Sequence, residues 1–329
     1  MTILVTGGAG YIGSHTCKAL AKSGFTPVAY DNLSTGHREF AKWGPLVIGD
    51  INDGETLRST IKEYQPKGVL HFAANAQVIE SILNPGKYYR NNLSGSVSLL
   101  EAMRDAEIPY LVFSSSCATY GHPQFSPITE AHPQIPISPY GRSKLMAEQV
   151  IQDFEKAHGL HAVCLRYFNA AGADSDLEVG EDHTPETHLI PSIIQTALGL
   201  KKEIVVYGTD FETKDGSAVR DYIHVEDLAK AHVKALEWLF KNQKSEQINL
   251  GTGTGFSVLE LIAAIEAFGK KQIPVRLEKR RLGEPSHAVA DNKKAKQLLG
   301  WMPSVSELPT IIESAWKWHS KTQVASLSL

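Results

Sequence analysis

Tyr140 and Lys144 are the first residues whose types and spacing could do chemistry. They lie four residues apart near the start of a predicted amphipathic helix. Residues at i and i+4 share a helix face, so the lysine ammonium can lie near the tyrosine phenol. A nearby cation lowers the pKa of a tyrosine from its usual value of about 10, which would make Tyr140 a usable general base. Two unrelated surface residues would show the same short pattern, so the rest of the chain must decide.

A glycine-rich segment near the start of the chain is the second such group. Gly7, Gly10 and Gly13 follow the first apolar run, and a helical pattern comes after them. Glycines in a strand-to-helix turn let a pyrophosphate approach the backbone, and the helix N-terminus offers unpaired N–H groups. Asp31 ends the next predicted strand, at roughly the spacing of about twenty residues expected for a carboxylate that binds ribose hydroxyls. The segment is therefore predicted to bind a dinucleotide, and the acid favours NAD over NADP.

Alternating strands and helices must position these residues. Short apolar runs alternate with amphipathic stretches throughout the N-terminal half, and the runs are Ile3 to Thr6, Pro27 to Tyr30, Leu46 to Ile48, Gly68 to Ala73, Tyr110 to Ser114 and Ala162 to Tyr167. This pattern predicts right-handed βαβ units and a Rossmann-like, doubly wound parallel sheet of the α/β class. Ligands of such sheets bind at the carboxyl ends of the strands.

Polar or small residues follow several of these predicted strands. Asp50 follows the third strand, where it is expected either to meet an adenine or to cap a helix that begins near Asn52. The small residues Ala73 and Ala74 at the end of the fourth strand suit close passage of a cofactor. Ser116 follows the fifth strand, and its hydroxyl is expected to bond a substrate hydroxyl, with plain turn chemistry as the alternative.

Composition favours small-molecule partners. The chain has 329 residues, of which 42% are hydrophobic, and a formal net charge of −3. These values are normal for a globular protein and give no electrostatic argument for nucleic acid or a membrane. No basic leader precedes the first apolar run and no run of about 18 apolar residues occurs, so a cytoplasmic location is expected. Cys17, Cys117 and Cys164 are far apart and lack CxxC spacing, which argues against both a zinc site and a disulfide framework.

Five motifs, in their order and spacing, resemble a known family. The motifs are Thr6 to Gly13 (TGGAGYIG), Tyr30 to Ser34 (YDNLS), Tyr140 to Lys144 (YGRSK), Arg166 to Ala171 (RYFNAA) and Val219 to Val225 (VRDYIHV). With Asp31 and Ser116 they resemble the extended short-chain dehydrogenase/reductase superfamily and, within it, the UDP-glucose 4-epimerases. The similarity runs from the first strand to about Trp318.

The resemblance implies a tightly held NAD and reversible epimerisation of UDP-glucose and UDP-galactose at C4 through a 4-keto sugar. Tyr140 would take the proton of the 4-hydroxyl, Lys144 would hold the phenolate and the nicotinamide ribose, and Ser116 would bond the reacting oxygen. No metal is required. The cofactor-binding candidates are Gly7, Gly10, Tyr11, Ile12, Gly13, Asp31, Asn32, Asp50, Ile51, Phe72, Ala73, Ala74, Asn91, Ser114, Tyr140, Lys144 and Tyr167.

Beyond Gly172 the alternation weakens, and a second, smaller α/β domain is expected to bind the nucleotide sugar. The expected NAD domain is 1–172, and the substrate domain is 173–329. Because members of the family return later pieces to the first domain, about 220–251 is expected to join it, which makes the boundary discontinuous. The substrate-binding candidates are Ser116, Tyr140, Asn169, His188, Leu189, Arg220, Arg281, Glu284 and Ala288.

The resemblance gives these candidates distinct roles. Arg220 and Arg281 would bind the diphosphate, since guanidinium groups pair bidentately with phosphate oxygens. Glu284 would accept bonds from the uridine ribose. His188 stands where the best-known members have asparagine, and either residue type can donate to a phosphate. Ala288 stands where a bulky residue restricts other members to plain hexoses, so the hypothesis is that N-acetylated sugars are also accepted.

Alternative functions stay open at this point. The chain could be a 4-epimerase for a UDP-pentose or UDP-N-acetylglucosamine, because the chemistry at C4 is the same. A nucleotide-sugar dehydratase or decarboxylase is disfavoured, because Cys117 and Ala118 stand where a dehydratase would carry an acidic pair. A catalytically silent NAD-binding protein is the alternative from another class. By resemblance a homodimer is expected, formed by helices near Gly95 to Arg104 and Tyr140 to Phe154.

Overall fold

A computed structural model of the protein describes residues 1–281 and 284–327. The strands in those residues are β1 (Thr2–Thr6), β2 (Thr26–Asp31), β3 (Leu46–Ile48), β4 (Gly68–His71), β5 (Tyr110–Ser114), β6 (His161–Tyr167), β7 (Asn169–Ala171), β8 (Ile204–Tyr207), β9 (Val219–His224), β10 (Glu246–Leu250), β11 (Gly255–Ser257), β12 (Val275–Glu278) and β13 (His287–Ala288). The α-helices are α1 (Tyr11–Lys22), α2 (Gly54–Tyr64), α3 (Val78–Leu83), α4 (Pro85–Tyr88), α5 (Gly95–Asp105), α6 (Pro139–His158), α7 (Leu189–Ala197), α8 (Val225–Asn242), α9 (Val258–Gly269), α10 (Lys293–Leu299) and α11 (Leu308–Leu327). Short 3₁₀ turns cover Arg38–Phe40 and Cys117–Thr119, and Tyr89–Ser94 is π-helical.

Seven parallel strands form the central sheet, in the order β10, β6, β5, β4, β1, β2, β3. The strand order reverses between β1 and β4, where the chain turns from building one half of the sheet to building the other. In open parallel sheets a ligand binds in the crevice at such a switch point. The predicted α/β class and doubly wound sheet are therefore confirmed.

Helices cover both faces of this sheet because its strands are apolar on both sides. Ile3 and Val5 belong to a buried cluster that also contains Leu228 of α8. Leu4 points the other way, into a cluster with Leu99 of α5. Successive strand side chains point to opposite faces, so each buried strand supplies both clusters. This packing fixes the carboxyl ends of the strands, where the candidate residues lie.

A smaller group of elements packs beside the sheet. Ile193 of α7, Leu261 of α9 and Ile311 of α11 share a third buried cluster. Around it lie a sheet in which β9 pairs with β11, β13 and β7, and the parallel pair β8 and β12. No helix in residues 1–281 and 284–327 is long and apolar enough to cross a membrane.

The predicted boundaries of the first helix and the fourth strand differ from those in the structure. The first helix begins at Tyr11, three residues before the predicted Ser14, so Gly13 lies in its first turn. The fourth strand ends at His71 and not at Ala73, although the Phe72 N–H still donates to the Thr6 carbonyl, 2.8 Å away. Glycine and the end of strand pairing both weaken the periodic pattern on which such boundaries depend.

Candidate active site

The turn between β1 and α1 has room for a phosphate. Gly7 has a φ of +72°, and a Cβ added there would lie 2.7 Å from the backbone nitrogen of Ala73. A Cβ at Gly13 would lie 2.0 Å from the Gly7 carbonyl oxygen, so packing within the chain requires both glycines. Gly10 differs, because a Cβ there would make only an ordinary contact at 3.4 Å. The missing side chain at Gly10 instead leaves the backbone open to a ligand.

The N-terminus of α1 faces this opening. Gly10 is the N-cap, and among the described residues neither a side-chain cap nor an acidic residue in the first turn competes for the helix end. Tyr11, Ile12 and Gly13 therefore present the first backbone N–H groups, together with the positive end of the helix dipole. Helix N-termini of this kind bind phosphate, so the residues present fit the pyrophosphate of a dinucleotide.

Asp31, at the end of β2, holds the turn. Its carboxylate accepts hydrogen bonds from the Ala9 N–H at 3.0 Å and from the Leu33 N–H at 2.8 Å. Burial raises the pKa of Asp31, and these two hydrogen bonds lower it. The predicted ribose acid is thus fixed beside the glycine turn, in the position that a ribose next to the pyrophosphate needs.

Asp50, after β3, accepts a hydrogen bond of 2.8 Å from the side-chain amide of Asn32, the residue that follows Asp31. The helix-cap interpretation of Asp50 is wrong. The cap of α2 is Asp53, whose carboxylate accepts from two backbone N–H groups of the first turn. Asp50 instead accepts from the Asn52 N–H at 2.8 Å, and Ile51 is buried in the cluster beneath. Asp50 stays a candidate for contact with the adenine.

The catalytic candidates meet at the start of α6. Ser138 caps this helix by accepting from the Gly141 N–H at 3.1 Å. Tyr140 and Lys144 are both buried, and Ser116 lies close enough to Tyr140 to lower the pKa of its hydroxyl. The Lys144 ammonium donates to the Ser114 carbonyl oxygen at 2.7 Å, at the carboxyl end of β5. The structure therefore brings the tyrosine, the lysine and the serine together at the predicted edge of the sheet.

Burial dominates the ionisation of this group. It raises the pKa of Tyr140 well above its usual value, Tyr167 adds to that rise, and the nearby Ser116 side chain opposes it. Burial also lowers the pKa of Lys144 to about 7, while the Glu148 carboxylate opposes this shift. The pKa of Tyr140 in the protein chain itself is therefore raised and not lowered as expected, and Lys144 is not among the main groups that shift it. Ser114 and Tyr167, two of the cofactor-binding candidates, are joined by a hydrogen bond of 2.7 Å between their hydroxyls.

Two of the substrate candidates form an ion pair. The Arg220 guanidinium donates to one Glu284 carboxylate oxygen at 3.0 Å, and both side chains are mostly buried. The other Glu284 carboxylate oxygen is buried and has no hydrogen-bond partner in the described part of the chain, so it is left as an acceptor. Glu284 also lines a cavity of about 510 Å³. The Arg281 guanidinium stacks on Tyr207, 3.8 Å from the centroid of the ring.

The remaining substrate candidates lie on neighbouring elements. The Asn169 amide, in β7, donates to the Asp221 carbonyl oxygen at 3.0 Å, which ties β7 to β9. Ala288 pairs with Arg220 between β13 and β9, and it is buried beside Tyr120, Ile128 and Phe168. His188 immediately precedes α7, whose first residue is Leu189.

Comparison with known proteins agrees with this arrangement. Residues 3–251 match the model of the NAD dependent epimerase/dehydratase family. The chain belongs to this family. A UDP-glucose 4-epimerase of Rhizobium leguminosarum bv. trifolii is 51% identical over 321 residues, which are 98% of this chain and 98% of that protein.

Solved structures give the same result. A UDP-glucose 4-epimerase from Brucella ovis, in complex with NAD, is 50% identical and has a TM-score of 0.94 over 96% of this chain and 97% of its own. A UDP-Glc/GlcNAc 4-epimerase from Campylobacter jejuni is 37% identical, with a TM-score of 0.85 over 97% of this chain and 99% of its own. The fold and the family are therefore established over nearly the whole chain.

Asn92 is a buried amide of this chain that is not among the predicted site residues. Asn91 was the predicted amide, and it donates to the Asn92 side-chain oxygen at 3.1 Å. Asn92 is the buried one: its oxygen accepts from the Asn75 N–H at 2.8 Å, and its nitrogen donates to the Ser143 hydroxyl at 3.0 Å. It joins the segment after β4 to the catalytic helix. The two consecutive asparagines are the sequence feature that could have identified Asn92. The π-helical turn that contains them determines which of the two amides faces inward.

Glu148 and Arg166 form a second group that was missed. Arg166 donates to both Glu148 carboxylate oxygens, at 3.0 and 2.6 Å, and its third donor group bonds the Tyr120 hydroxyl at 3.0 Å. Ser115, which precedes Ser116, also donates to Glu148. All of these side chains are buried. Glu148 lies one helical turn beyond Lys144, so the i, i+4 rule that paired Tyr140 with Lys144 would have found it.

Proposed function

We propose that this chain catalyses the reversible C4 epimerisation of UDP-glucose and UDP-galactose with bound NAD, in galactose metabolism. The observation that carries the proposal is the meeting of Tyr140, Lys144 and Ser116 at the carboxyl end of β5, on the same edge of the sheet as the glycine turn. A base, a buried cation and a hydroxyl donor at one strand edge are what reversible oxidation of a secondary alcohol requires.

NAD, when bound, supplies the site that accepts a hydride from C4 and returns it. Gly10 and the first turn of α1 would hold its pyrophosphate, and Asp31 its adenosine ribose. Tyr140 accepts the proton of the 4-hydroxyl as the hydride leaves, and it returns that proton when the hydride comes back to the other face of the 4-keto sugar. Because burial disfavours the phenolate, the Lys144 cation and the Ser116 hydroxyl have to stabilise it.

The UDP-sugar would lie between the sheet edge and the smaller group of elements. Arg220 and Arg281 would bind the diphosphate, and on binding Arg220 would exchange part of its pairing with Glu284 for phosphate oxygens. The free Glu284 oxygen would accept from the uridine ribose. Asn169 and Leu189 would contact the sugar nucleotide, and His188 would donate to a phosphate.

The organisation around this site is also part of the proposal. Residues 1–172 with about 220–251 would form the NAD domain, and the rest of 173–329 the substrate domain; β10 beside β6 in the central sheet supports this division. By family resemblance we further propose a cytoplasmic homodimer formed through α5 and α6.

One reaction tests the proposed activity. The purified chain is incubated with UDP-galactose without added NAD, and UDP-glucose is measured. Tyr140→Phe should lower kcat by at least about 10²-fold, as the loss of a general base does. Tyr110→Phe is the matched control, since Tyr110 lies at the opposite end of β5. A Tyr140→Phe protein that turns over at close to the wild-type rate would overturn the assignment.

N-acetylated sugars are a second substrate class that one position favours. Ala288 is small where a bulky side chain would restrict the pocket, and the relative from Campylobacter jejuni is described as a UDP-Glc/GlcNAc 4-epimerase. We expect turnover of UDP-N-acetylglucosamine by the wild-type chain. Ala288→Tyr should lower it at least about tenfold relative to UDP-galactose, because a steric clash in a pocket discriminates at that level.

Turnover of UDP-galactose by Ala288→Tyr and its melting temperature serve as controls for overpacking around Tyr120 and Phe168. Absence of detectable turnover of UDP-N-acetylglucosamine by the wild-type chain would contradict the broader specificity and leave the hexose activity intact.

A further inference from the structure

Four potential metal ligands converge in the segment between β7 and α7. Glu181, His183, Glu186 and His188 each offer one ligand atom, and these four atoms lie within 4.8 Å of one another. The Glu181 and Glu186 side chains are each only 3% exposed, whereas that of His188 is 49% exposed. Two carboxylates are thus held in the interior, with an open approach on the side of one imidazole.

Buried atoms in this cluster lack hydrogen-bond partners. Glu181 Oε1, His183 Nδ1 and Glu186 Oε2 are all buried, and none makes a hydrogen bond of good geometry within the described residues, although Glu181 Oε1 forms an ion-pair contact with His188 Nδ1. They nevertheless lie close together: His183 Nδ1 is 3.4 Å from Glu181 Oε1 and 3.7 Å from Glu186 Oε2. Buried polar groups are normally paired, and atoms that approach closely without bonding geometry point toward a shared centre.

The spacing of the atoms fits a tetrahedral zinc ion. Zinc bonds of 2.0–2.2 Å place neighbouring ligand atoms about 3.3–3.6 Å apart in a tetrahedron. His183 Nδ1 lies 3.4 Å from Glu181 Oε1 and 3.7 Å from Glu186 Oε2, and both separations are near this edge. His188 Nδ1 lies only 2.5 Å from Glu181 Oε1, so zinc binding would move these two atoms apart. We propose that Glu181, His183, Glu186 and His188 form a structural Zn²⁺ site. The absence of CxxC spacing argues only against a zinc site built from cysteines, and these four ligands include no cysteine.

Neighbouring groups orient the ligands. The His188 backbone N–H donates to Glu186 Oε1 at 2.8 Å, and the Trp318 indole N–H donates to the Glu181 carbonyl oxygen at 2.9 Å. Lys201 donates to the Glu186 carbonyl oxygen at 3.0 Å. Metal ligands in proteins are typically fixed by such outer contacts.

An adjacent acidic cluster shows the contrasting case. Asp174, Asp176 and Glu178 also converge, but the Lys18 ammonium lies between them, at 2.6 to 2.7 Å from a carboxylate oxygen of each. There the chain supplies its own cation. The cluster around His183 contains two imidazoles in the place of a lysine, and imidazole is a ligand for zinc as well as a weak base.

The competing state of the cluster has two protonated histidines. Burial lowers the pKa of His183, but Glu181 and Glu186 outweigh that effect and raise it to about 9. Two imidazolium groups would balance two carboxylates, and one divalent cation with two neutral imidazoles gives the same net charge. Charge balance alone therefore allows both states, and the unsatisfied His183 Nδ1 and Glu186 Oε2 atoms favour the metal.

The site would join the substrate segment to the cofactor turn. His188 precedes α7, and the His183 ring packs edge-on against Tyr11, with the ring centroids 6.5 Å apart. With zinc on its Nδ1, His188 would keep the Nε2–H group for an external ligand. The zinc site does not depend on the proposed epimerase activity, and its test uses metal binding alone.

The test measures zinc on the full-length, untagged chain. Protein dialysed against micromolar ZnCl₂ is analysed by elemental mass spectrometry, and affinity is measured by competition with a fluorescent chelator. We expect one Zn²⁺ per chain and a melting temperature that EDTA lowers and Zn²⁺ restores. His183→Gln and Glu186→Gln should each weaken binding by at least about tenfold, because each removes a ligand.

Matched controls separate this cluster from the rest of the surface. Asp176→Asn lies in the same segment outside the proposed site, and His158→Gln removes an exposed histidine at the end of α6; both should bind zinc as the wild type does. Wild-type protein that stays free of zinc and melts identically with EDTA or Zn²⁺ would overturn the proposal in favour of the protonated pair. Loss of binding in Asp176→Asn alone would also overturn it, by assigning the ion to the Lys18 cluster.

Discussion

The chain contains two groups of charged side chains, one around Glu148 and one around Glu181. They differ in how many of their polar atoms make hydrogen bonds. Behind α6, Glu148 and Arg166 make two direct hydrogen bonds to each other, and Ser115 and Tyr120 complete the network. Before α7, the Glu181 and Glu186 side chains are equally buried, yet Glu181 Oε1, His183 Nδ1 and Glu186 Oε2 make no hydrogen bond of good geometry within the described residues. A closed network fixes the fold, whereas converging unbonded atoms leave a position for a ligand.

The chemistry of the basic partner explains this difference. Arginine remains protonated throughout the range in which proteins are folded, so Arg166 needs a carboxylate wherever it is buried. Histidine can lose its proton and become a neutral ligand or a neutral core residue. The Glu148 network therefore has one charge state, while the cluster around Glu181 has at least two.

The largest predicted effect is a difference in stability between two variants, each of which replaces a buried glutamate of one group with alanine. Glu148→Ala should lower the free energy of unfolding by about 3–5 kcal/mol, because it leaves the Arg166 charge buried without its partner. Glu181→Ala, in chelator-treated protein, should lower it by only about 1–3 kcal/mol, because the histidines can deprotonate. Urea unfolding at pH 7 measures both values.

A double substitution is the control for this comparison. Glu148→Met with Arg166→Met removes both charges, and it should recover more than half of the stability lost in Glu148→Ala, since well-packed apolar residues often replace a buried ion pair at little cost. An equal loss of stability in Glu148→Ala and Glu181→Ala would show that the two groups do not differ in the way argued.

Sequence patterns were sufficient where the determinant is local. The parallel sheet, the glycine turn and the pair Tyr140 and Lys144 follow from periodicity and short spacing, which reflect which side chains share a face. Sequence patterns were insufficient where a single residue determines where a helix begins. Asp53 caps α2, and not Asp50, because the helix begins two residues later than expected.

Contacts across the fold were the least predictable part of the candidate site. The π-helical turn adds a residue to one turn and so rotates Asn92 inward, which no local pattern announces. Glu148 could be found from its spacing to Lys144, but its partner Arg166 comes from β6, after the helix has ended. The pairing exists only once the helix packs on the sheet.

The smallest predicted effect is a shift in pH dependence that links the closed network to catalysis. Burial lowers the pKa of Lys144 to about 7, and Glu148 opposes that shift. Glu148→Gln removes the opposing charge, so the pKa of Lys144 should fall further. Because Tyr140 needs the Lys144 cation, the alkaline limb of kcat/KM for UDP-galactose should move to lower pH in this variant.

The same change has a defined consequence for stability. A lysine whose pKa is lowered on folding releases its proton from the folded state first, so between about pH 7 and about pH 10.4 the unfolded chain binds more protons and stability rises with pH. In Glu148→Gln this rise should begin at lower pH. Asp153→Asn, an exposed carboxylate on the same helix, is the control and should move neither profile. An unchanged alkaline limb in Glu148→Gln, with stability lowered, would reduce Glu148 to a structural role and separate the closed network from the chemistry.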